Sequence, residues 1–148
     1  MPHITHDHAE RELLGVVFHC PVDAAQEVGQ VRESDFRLDA HQRIWQAICS
    51  LWDDRRPADL VGVGKWLLRK GWADDAGGSA YLAELIEATP SGANAAYYAG
   101  VVRDNALCRR LADEGRRLTQ LAEEAGRPPA ELLADVMARL DAMAEGAG

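Results

Sequence analysis

The segment Val61-Gly62-Val63-Gly64-Lys65-Trp66 sets two glycines ahead of a lysine, a grouping that in a phosphate-binding loop would cradle a nucleotide. That chemistry needs backbone N–H groups from a glycine-rich turn, a lysine on the phosphates and a Ser or Thr hydroxyl on magnesium, in the order G-x-x-x-x-G-K-[ST]. Asp59 stands where the first glycine belongs and Trp66 where the hydroxyl belongs, and no strand pattern leads into the loop. Two glycines on a helix that packs closely against a neighbour explain the stretch instead. His3, His6 and His8 are near enough in sequence to share a metal ion, but no second half of a ligand set lies close by, so a solvated tail is expected. Cys20, Cys49 and Cys108 are odd in number, far apart and without a CxxC pair. This argues against a disulfide framework and a thiolate zinc site, and for buried, reduced thiols.

The other groups capable of proton transfer have structural readings. His41 falls on the apolar face of a helix, which fits a hydrogen-bonded core histidine better than a general base. His19 precedes Cys20 at a helix end and reads as a surface or cap residue. No Ser–His–Asp or Cys–His grouping comes with a supporting turn such as G-x-S-x-G. The acid pairs Asp53-Asp54, Asp74-Asp75 and Glu123-Glu124 sit at helix ends or on polar faces, where solvation accounts for them. The sequence thus offers no catalytic residue, no cofactor-binding residue and no metal site, and an enzyme is not expected of this chain.

Charge narrows the partners. Lys and Arg number 16 against 24 Asp and Glu, a formal net charge of −8. Affinity for nucleic acid comes mostly from neutralising phosphates, so tight direct DNA binding is not expected. Arg103, Arg109, Arg110, Arg116 and Arg117 form the one basic run, with Asp104, Asp113 and Glu114 interleaved. A salt-bridged, solvated helix face is the plainer reading; a contact surface for a partner, with Arg109, Arg110 and Arg117 as candidates, is the other. The four tryptophans, Trp45, Trp52, Trp66 and Trp72, follow helical spacing or loop edges and read as core anchors rather than a base-stacking platform. No stretch approaches the ~20 apolar residues that span a bilayer. The N-terminus lacks a signal-peptide layout, so a cytoplasmic protein is expected.

The elements that must position these residues are helices. Asp7 and Glu10 have capping-box spacing, and Leu13, Leu14, Val17 and Phe18 then mark one buried face, ended by Cys20-Pro21. A short helix over about 22–28 follows, weakened by Gly29, and Ser34-Asp35-Phe36 reads as a turn that plants Phe36 in the core. His41, Ile44, Trp45, Ile48, Leu51 and Trp52 predict a helix over about 39–53. Asp59 is a good N-cap for the next, with Gly71 as its stop. Gly77-Gly78 opens another, with Tyr81, Leu82, Leu85 and Ile86 inward, and Thr89-Pro90-Ser91 ends it and caps its successor.

From Ser91 one long helix is predicted to about Ala125, with Gly126 after it, and Pro129 then starts a second helix carrying Leu132, Leu133, Val136, Leu140 and Met143. A short Gly–Pro connection between two helices makes an antiparallel hairpin. The reading is all-α: a globular helical bundle over 1–95 and a helical hairpin over 96–148. Leu118, Leu121, Leu132, Leu133, Val136 and Leu140 form the hairpin seam expected to serve as an oligomer interface. Periodicity alone leaves two arrangements open: a protruding hairpin, whose apolar seam marks a partner site, or one folded back to complete a monomeric core.

One string of landmarks goes further. Ala9-Glu10-Arg11-Glu12-Leu13-Leu14-Gly15, then Asp35-Phe36, His41 with Ile44-Trp45 and Ala47-Ile48, and Pro57-Ala58-Asp59-Leu60-Val61 with Val63 come in order. Gly77-Gly78, Ala80-Tyr81-Leu82 with Leu85, and Asn94-Ala95, Tyr98-Ala99, Val101-Val102-Arg103-Asp104, Ala106-Leu107 and Arg109-Arg110-Leu111 complete the series. In order and spacing it resembles the N-terminal domain of the DnaB family of bacterial replicative DNA helicases, from residue 9 to about 111, with the apolar pattern extending to about 143. The resemblance implies a small helical bundle with a protruding hairpin, pairing of hairpins between subunits, and a collar on a hexameric motor ring where primase docks. The partners it implies are a second copy of the chain, as a dimer or higher assembly, primase, and the ATPase domain of a longer helicase. The ATPase half has no counterpart in these residues. A stand-alone regulator or loader-like protein that binds a helicase by mimicking its collar is the alternative.

Overall fold

The computed structural model describes residues 5–124 and 126–147. Among the described residues, seven α-helices and one 3-10 turn make up the regular structure, and no strand occurs. In chain order they are α1 (His6–His19), α2 (Ala24–Val28), the 3-10 turn (Glu33–Asp35), α3 (Asp39–Asp53), α4 (Leu60–Lys70), α5 (Gly78–Ala88), α6 (Ala95–Glu123) and α7 (Pro129–Ala147). The chain divides into two compact units, one ending at Arg103 and one beginning at Asp104. Helix α6 contributes residues to both.

The first unit is a bundle in which α1 packs on α5, α3 on α4, and α4 on α5. The sequence dictates where these helices start and stop. The Asp59 side chain accepts from the Gly62 N–H at 2.7 Å, satisfying one of the donors a helix N-terminus leaves unpaired. Gly71 ends α4 with φ of 76°, the left-handed conformation that glycine adopts without a Cβ penalty. Phe36 is buried as expected, beside Trp45, Ile44, Ile48 and Leu51 from α3 and Leu13, Leu14, Val16 and Val17 from α1.

Two predicted helix starts move. Helix α1 is capped by Thr5, whose hydroxyl accepts from the His8 N–H, so Asp7 and Glu10 do not form the expected capping box. Their carboxylates serve tertiary partners instead: Asp7 pairs with Arg37 at 2.7 Å, and Glu10 turns into the core. His6 and His8 accordingly lie on α1 rather than in a solvated tail, and His8 faces Glu12 one turn on; His3 lies outside the described residues. Helix α6 begins at Ala95, four residues after Ser91, because Asn94 takes a positive φ of 70° just before it. The predicted end of that helix near Ala125 lies outside the described residues.

Close backbone approach between α1 and α5 requires Gly15. A Cβ at that position would stand 2.5 Å from the Leu85 carbonyl oxygen and 2.7 Å from the Thr89 Cβ, and closer still to the Thr89 hydroxyl. Backbone cannot step aside as a flexible side chain can. Gly15→Ala should therefore cost roughly 1–3 kcal/mol, as overpacking does. Gly64 in mid-α4 meets nothing nearer than Leu82 Cδ1 at 3.9 Å, so Gly64→Ala should be neutral or gain up to about 1 kcal/mol from helix propensity. Urea melts of the two variants should move in opposite directions; a Gly15→Ala melt that overlays the parent would contradict the close contact.

The thiols are less sheltered than expected. Cys20 and Cys49 are half-buried and Cys108 is exposed, all unbridged. Burial pushes the Cys49 thiol up to about 11, helped by the charges of Asp53 and Glu33. Alkylation by iodoacetamide at pH 8 should modify Cys108 well before Cys49, and the Cys49 rate should rise about tenfold per pH unit up to its raised pKa, because only the thiolate attacks. Peptide mapping that finds Cys49 modified first would overturn this.

Candidate functional site

Two constellations emerge, one in each unit. In the bundle, Glu10 on α1, His41 on α3 and Tyr81 on α5 form a chain of hydrogen bonds. His41 Nδ1 stands 2.8 Å from Glu10 Oε1, and His41 Nε2 stands 2.6 Å from the Tyr81 hydroxyl. The second carboxylate oxygen of Glu10 accepts from the Arg37 backbone N–H at 2.8 Å. The Glu10 carboxylate accepts from His41 Nδ1–H, and Nε2 pairs with the Tyr81 hydroxyl. Burial raises the Tyr81 phenol pKa, opposed by the charge and hydrogen bond of Arg11. Carboxylate, imidazole and hydroxyl in line are the parts of a proton relay, but His41 is wholly enclosed and its ring stacks on Tyr81 at 5.9 Å. The arrangement pins three helices together, as expected for a core histidine. His19 makes a similar tie, its Nε2 reaching the carbonyls of Ile86 and Thr89 at the end of α5.

The glycine–lysine stretch lies within α4, with Lys65 on the exposed side. Among the described residues, no group of three His, Cys, Asp or Glu side chains could hold a metal ion. The four tryptophans anchor the bundle. Trp45 is buried, and Trp52, Trp66 and Trp72 are half-buried. The indole N–H groups of Trp45, Trp52 and Trp66 donate to the Val31 carbonyl, the Pro21 carbonyl and the Ser50 hydroxyl respectively.

The second unit is an antiparallel hairpin of the C-terminal part of α6 and α7. Its ion pairs show the direction: Glu114 meets Arg139 at 2.7 Å, while Arg117, one turn later on α6, meets Asp135, one turn earlier on α7. Arg117 also reaches Glu114 at 3.2 Å. The hydrogen bond from Arg139 holds the Glu114 carboxyl below the usual range, against the opposing effect of burial and with help from Arg117. The group's folded pKa is depressed, so its contribution is fully present above the ordinary Glu value of about 4.3. It is lost as pH falls through the lowered value.

These pairs divide the predicted seam into two classes. Leu118 and Leu121 on α6 and Leu132 and Val136 on α7 are half-buried, and Leu132 and Val136 share an arc of α7 with Asp135 and Arg139. Leu133 and Leu140 are exposed instead, and between them stands Met137, which the seam as predicted did not include. Leu133 and Met137 are 61% and 62% exposed. Residues 133, 137 and 140 recur at i, i+4 and i+7, one continuous apolar stripe, and that spacing was the available signal for Met137. Leu111 on α6 is a further exposed apolar side chain of this unit. Of the candidate arginines, Arg117 is engaged inside the hairpin, Arg109 is half-buried and Arg110 exposed, and neither of the last two lacks a partner. No helix among the described residues is long and apolar enough to cross a membrane.

The sequence model of a family described as DnaB-like helicase N-terminal domain matches residues 3–104. Replicative DNA helicase DnaB of Mycobacterium leprae is 40% identical over 112 residues, which are 76% of this chain and 18% of that protein. Replicative DNA helicase DnaB of Leifsonia xyli is 38% identical over 117 residues, 79% of this chain and 26% of that protein. The chain thus spans about a fifth to a quarter of the length of these relatives. The crystal structure of the N-terminal domain of DnaB helicase from Mycobacterium tuberculosis superposes with a TM-score of 0.82 at 36% identity, covering 91% of this chain and 94% of that one. A DnaB-like replicative helicase, described with its interactions with primase, superposes with a TM-score of 0.77 over 93% of this chain and 31% of its own. At 17% identity that likeness carries the fold alone.

Proposed function

The chain belongs to the family of DnaB-like helicase N-terminal domains, and from that premise we propose that it is the assembly and recruitment module of a replicative DNA helicase. The matched region is the non-catalytic N-terminal domain of these helicases. In this reading the bundle gives the module its fixed shape, the hairpin pairs with the hairpin of a second copy, and the paired modules form a cytoplasmic collar that receives primase and adjoins an ATPase domain. The observation that carries it is the exposed stripe of Leu133, Met137 and Leu140, three apolar side chains on one face of α7. Burying such a stripe between two copies is favourable by roughly 25 cal/mol per Å2 of apolar surface.

Multi-angle light scattering tests the pairing. The parent should run as a dimer or larger at high micromolar concentration, and Leu133→Lys should shift it toward monomer, since a charge buried without a partner in an apolar seam is costly. A parent that stays monomeric at that concentration would refute hairpin pairing. Recruitment is tested by titrating the helicase-interacting domain of the cognate primase against the parent and an Arg109→Glu, Arg110→Glu variant. Micromolar affinity that weakens with salt and falls in the variant is expected, because small, polar surfaces and rim charges behave so. No binding by the parent removes the recruitment role. Binding by the monomer to an intact helicase, with no self-association, would favour a regulator that mimics the collar.

A further inference from the structure

Helix α4 buries Val63 and Leu67 and turns another side outward. There Val61 is 64% and Leu68 70% exposed, with Lys65 between them. Spacings of four and three residues put Val61, Lys65 and Leu68 on one stripe. Beside it, α4, the turn at Ala73–Asp74 and α5 enclose a groove of about 590 Å3, lined by Leu60, Leu67 and Leu82 as well as Val61 and Leu68. On the other flank of Leu68, Arg56, Lys65 and Arg69 surround a second recess. The side chains of these three cations form no ion pair among the described residues. Of the acids around them, Asp59 is spent on capping Gly62, Asp74 stands across the groove beside α5, and Asp54 lines a further recess with Arg56, Arg69 and Lys70, which leaves cations in excess there. In a chain of net charge −8, an apolar ridge edged by three unpaired cations is a local reversal of sign.

We infer that this α4–α5 groove docks an acidic amphipathic helix of a partner protein. The ridge and groove would take an i, i+4, i+7 row of apolar side chains, the way helix-in-groove recognition works. Carboxylates along one edge of that helix would meet Arg56 and Arg69, whose guanidinium groups suit carboxylates in two-point contacts, and the Lys65 ammonium, a compact point charge. A nucleic acid fits less well, because Val61 and Leu68 offer a phosphate backbone nothing and the chain's overall charge opposes it. The site belongs to the bundle and shares no residue with the stripe on α7, so it stands or falls independently of hairpin pairing.

The test uses the full chain and three probes, followed by amide resonances in NMR. The first is a synthetic helix of roughly 16 residues, long enough to be helical alone, with a leucine stripe flanked by glutamates. The second carries lysines in place of the glutamates, and the third is single-stranded oligo-dT. The glutamate peptide should shift residues of α4 and α5 and bind more tightly than the other two. Val61→Ser with Leu68→Ser should weaken it about tenfold or more, as loss of two central apolar contacts does. Lys65→Glu with Arg69→Glu should weaken it similarly and admit the lysine peptide. All four positions are exposed, and unchanged thermal melts would show that folding is intact. Absence of shifts, equal binding of both peptides, or tighter binding of oligo-dT to α4 would overturn the inference. So would a change in oligomeric state of the Val61→Ser, Leu68→Ser variant, which would make a second copy the occupant.

Discussion

Trp45→Ala should lower the stability of the bundle by about 3–5 kcal/mol, the usual cost of removing a buried aromatic side chain. The residue is 1% exposed and lies midway along α3, with its ring against Phe36 from the segment before that helix. Its ring lies 5.2 Å from Phe36 and meets Trp52 edge-on at 5.9 Å, so the cavity would open between two aromatic rings. Its Nε1–H donates to the Val31 carbonyl at 3.1 Å, and truncation leaves that buried acceptor unpaired. Whole domains are stable by only ~5–15 kcal/mol, so the loss is a large share of the total. With a urea m-value of about 1–3 kcal/mol/M, the midpoint should fall by roughly a molar or more. Far-UV circular dichroism is the proper readout, because the substitution removes a fluorophore. Trp45→Phe should fall between the two, keeping a ring but losing the N–H. A Trp45→Ala melt within about 0.5 kcal/mol of the parent, the range of ordinary surface substitutions, would place the residue outside the core.

What the sequence made legible follows from how local each signal is. The bounds of α3 came from six apolar or half-apolar positions with helical spacing, and those of α4 from Asp59 and Gly71, whose roles depend only on neighbouring backbone. His41 read as a core residue because its helix face is otherwise apolar. Glu10 failed as a cap for the opposite reason. A carboxylate three residues after Asp7 looks like a capping box, yet its partners are 27 and 31 residues away, in Arg37 and His41. The clue was its position three and four residues before Leu13 and Leu14, on the buried face of α1. Asn94 set the start of α6 through a backbone angle that its residue type permits but does not announce. In the hairpin, the row of apolar residues was visible, but its division into a half-buried and an exposed stripe was not. That division depends on which side of α7 carries Asp135 and Arg139 toward α6, a pairing between residues at least 18 apart in sequence.

Glu10→Leu should be as damaging as the loss of Trp45, through electrostatics rather than volume. Glu10 is 1% exposed and His41 wholly buried, so water cannot replace a missing partner. Removing the carboxylate strands the Arg37 N–H and the His41 Nδ1–H together, and two buried donors left without acceptors cost about 2–6 kcal/mol. Each orphaned donor alone accounts for roughly 1–3 kcal/mol of that. Glu10→Gln, which retains one acceptor oxygen for the Arg37 N–H, should lose less. The discriminating protein is the double variant Glu10→Leu, His41→Phe. It removes both ends of the pair, leaving the Arg37 N–H and the Tyr81 hydroxyl to be satisfied. It should be more stable than the sum of the two single losses predicts, with a coupling of the order of 0.5–3 kcal/mol, as contacting residues show. Strict additivity in urea melts would mean that Glu10 and His41 act independently and that their 2.8 Å contact is incidental to the fold. Favourable coupling would identify the hydrogen-bonded chain across α1, α3 and α5 as the device that keeps the bundle in a single packing, and hence α4 and α5 in a fixed relation.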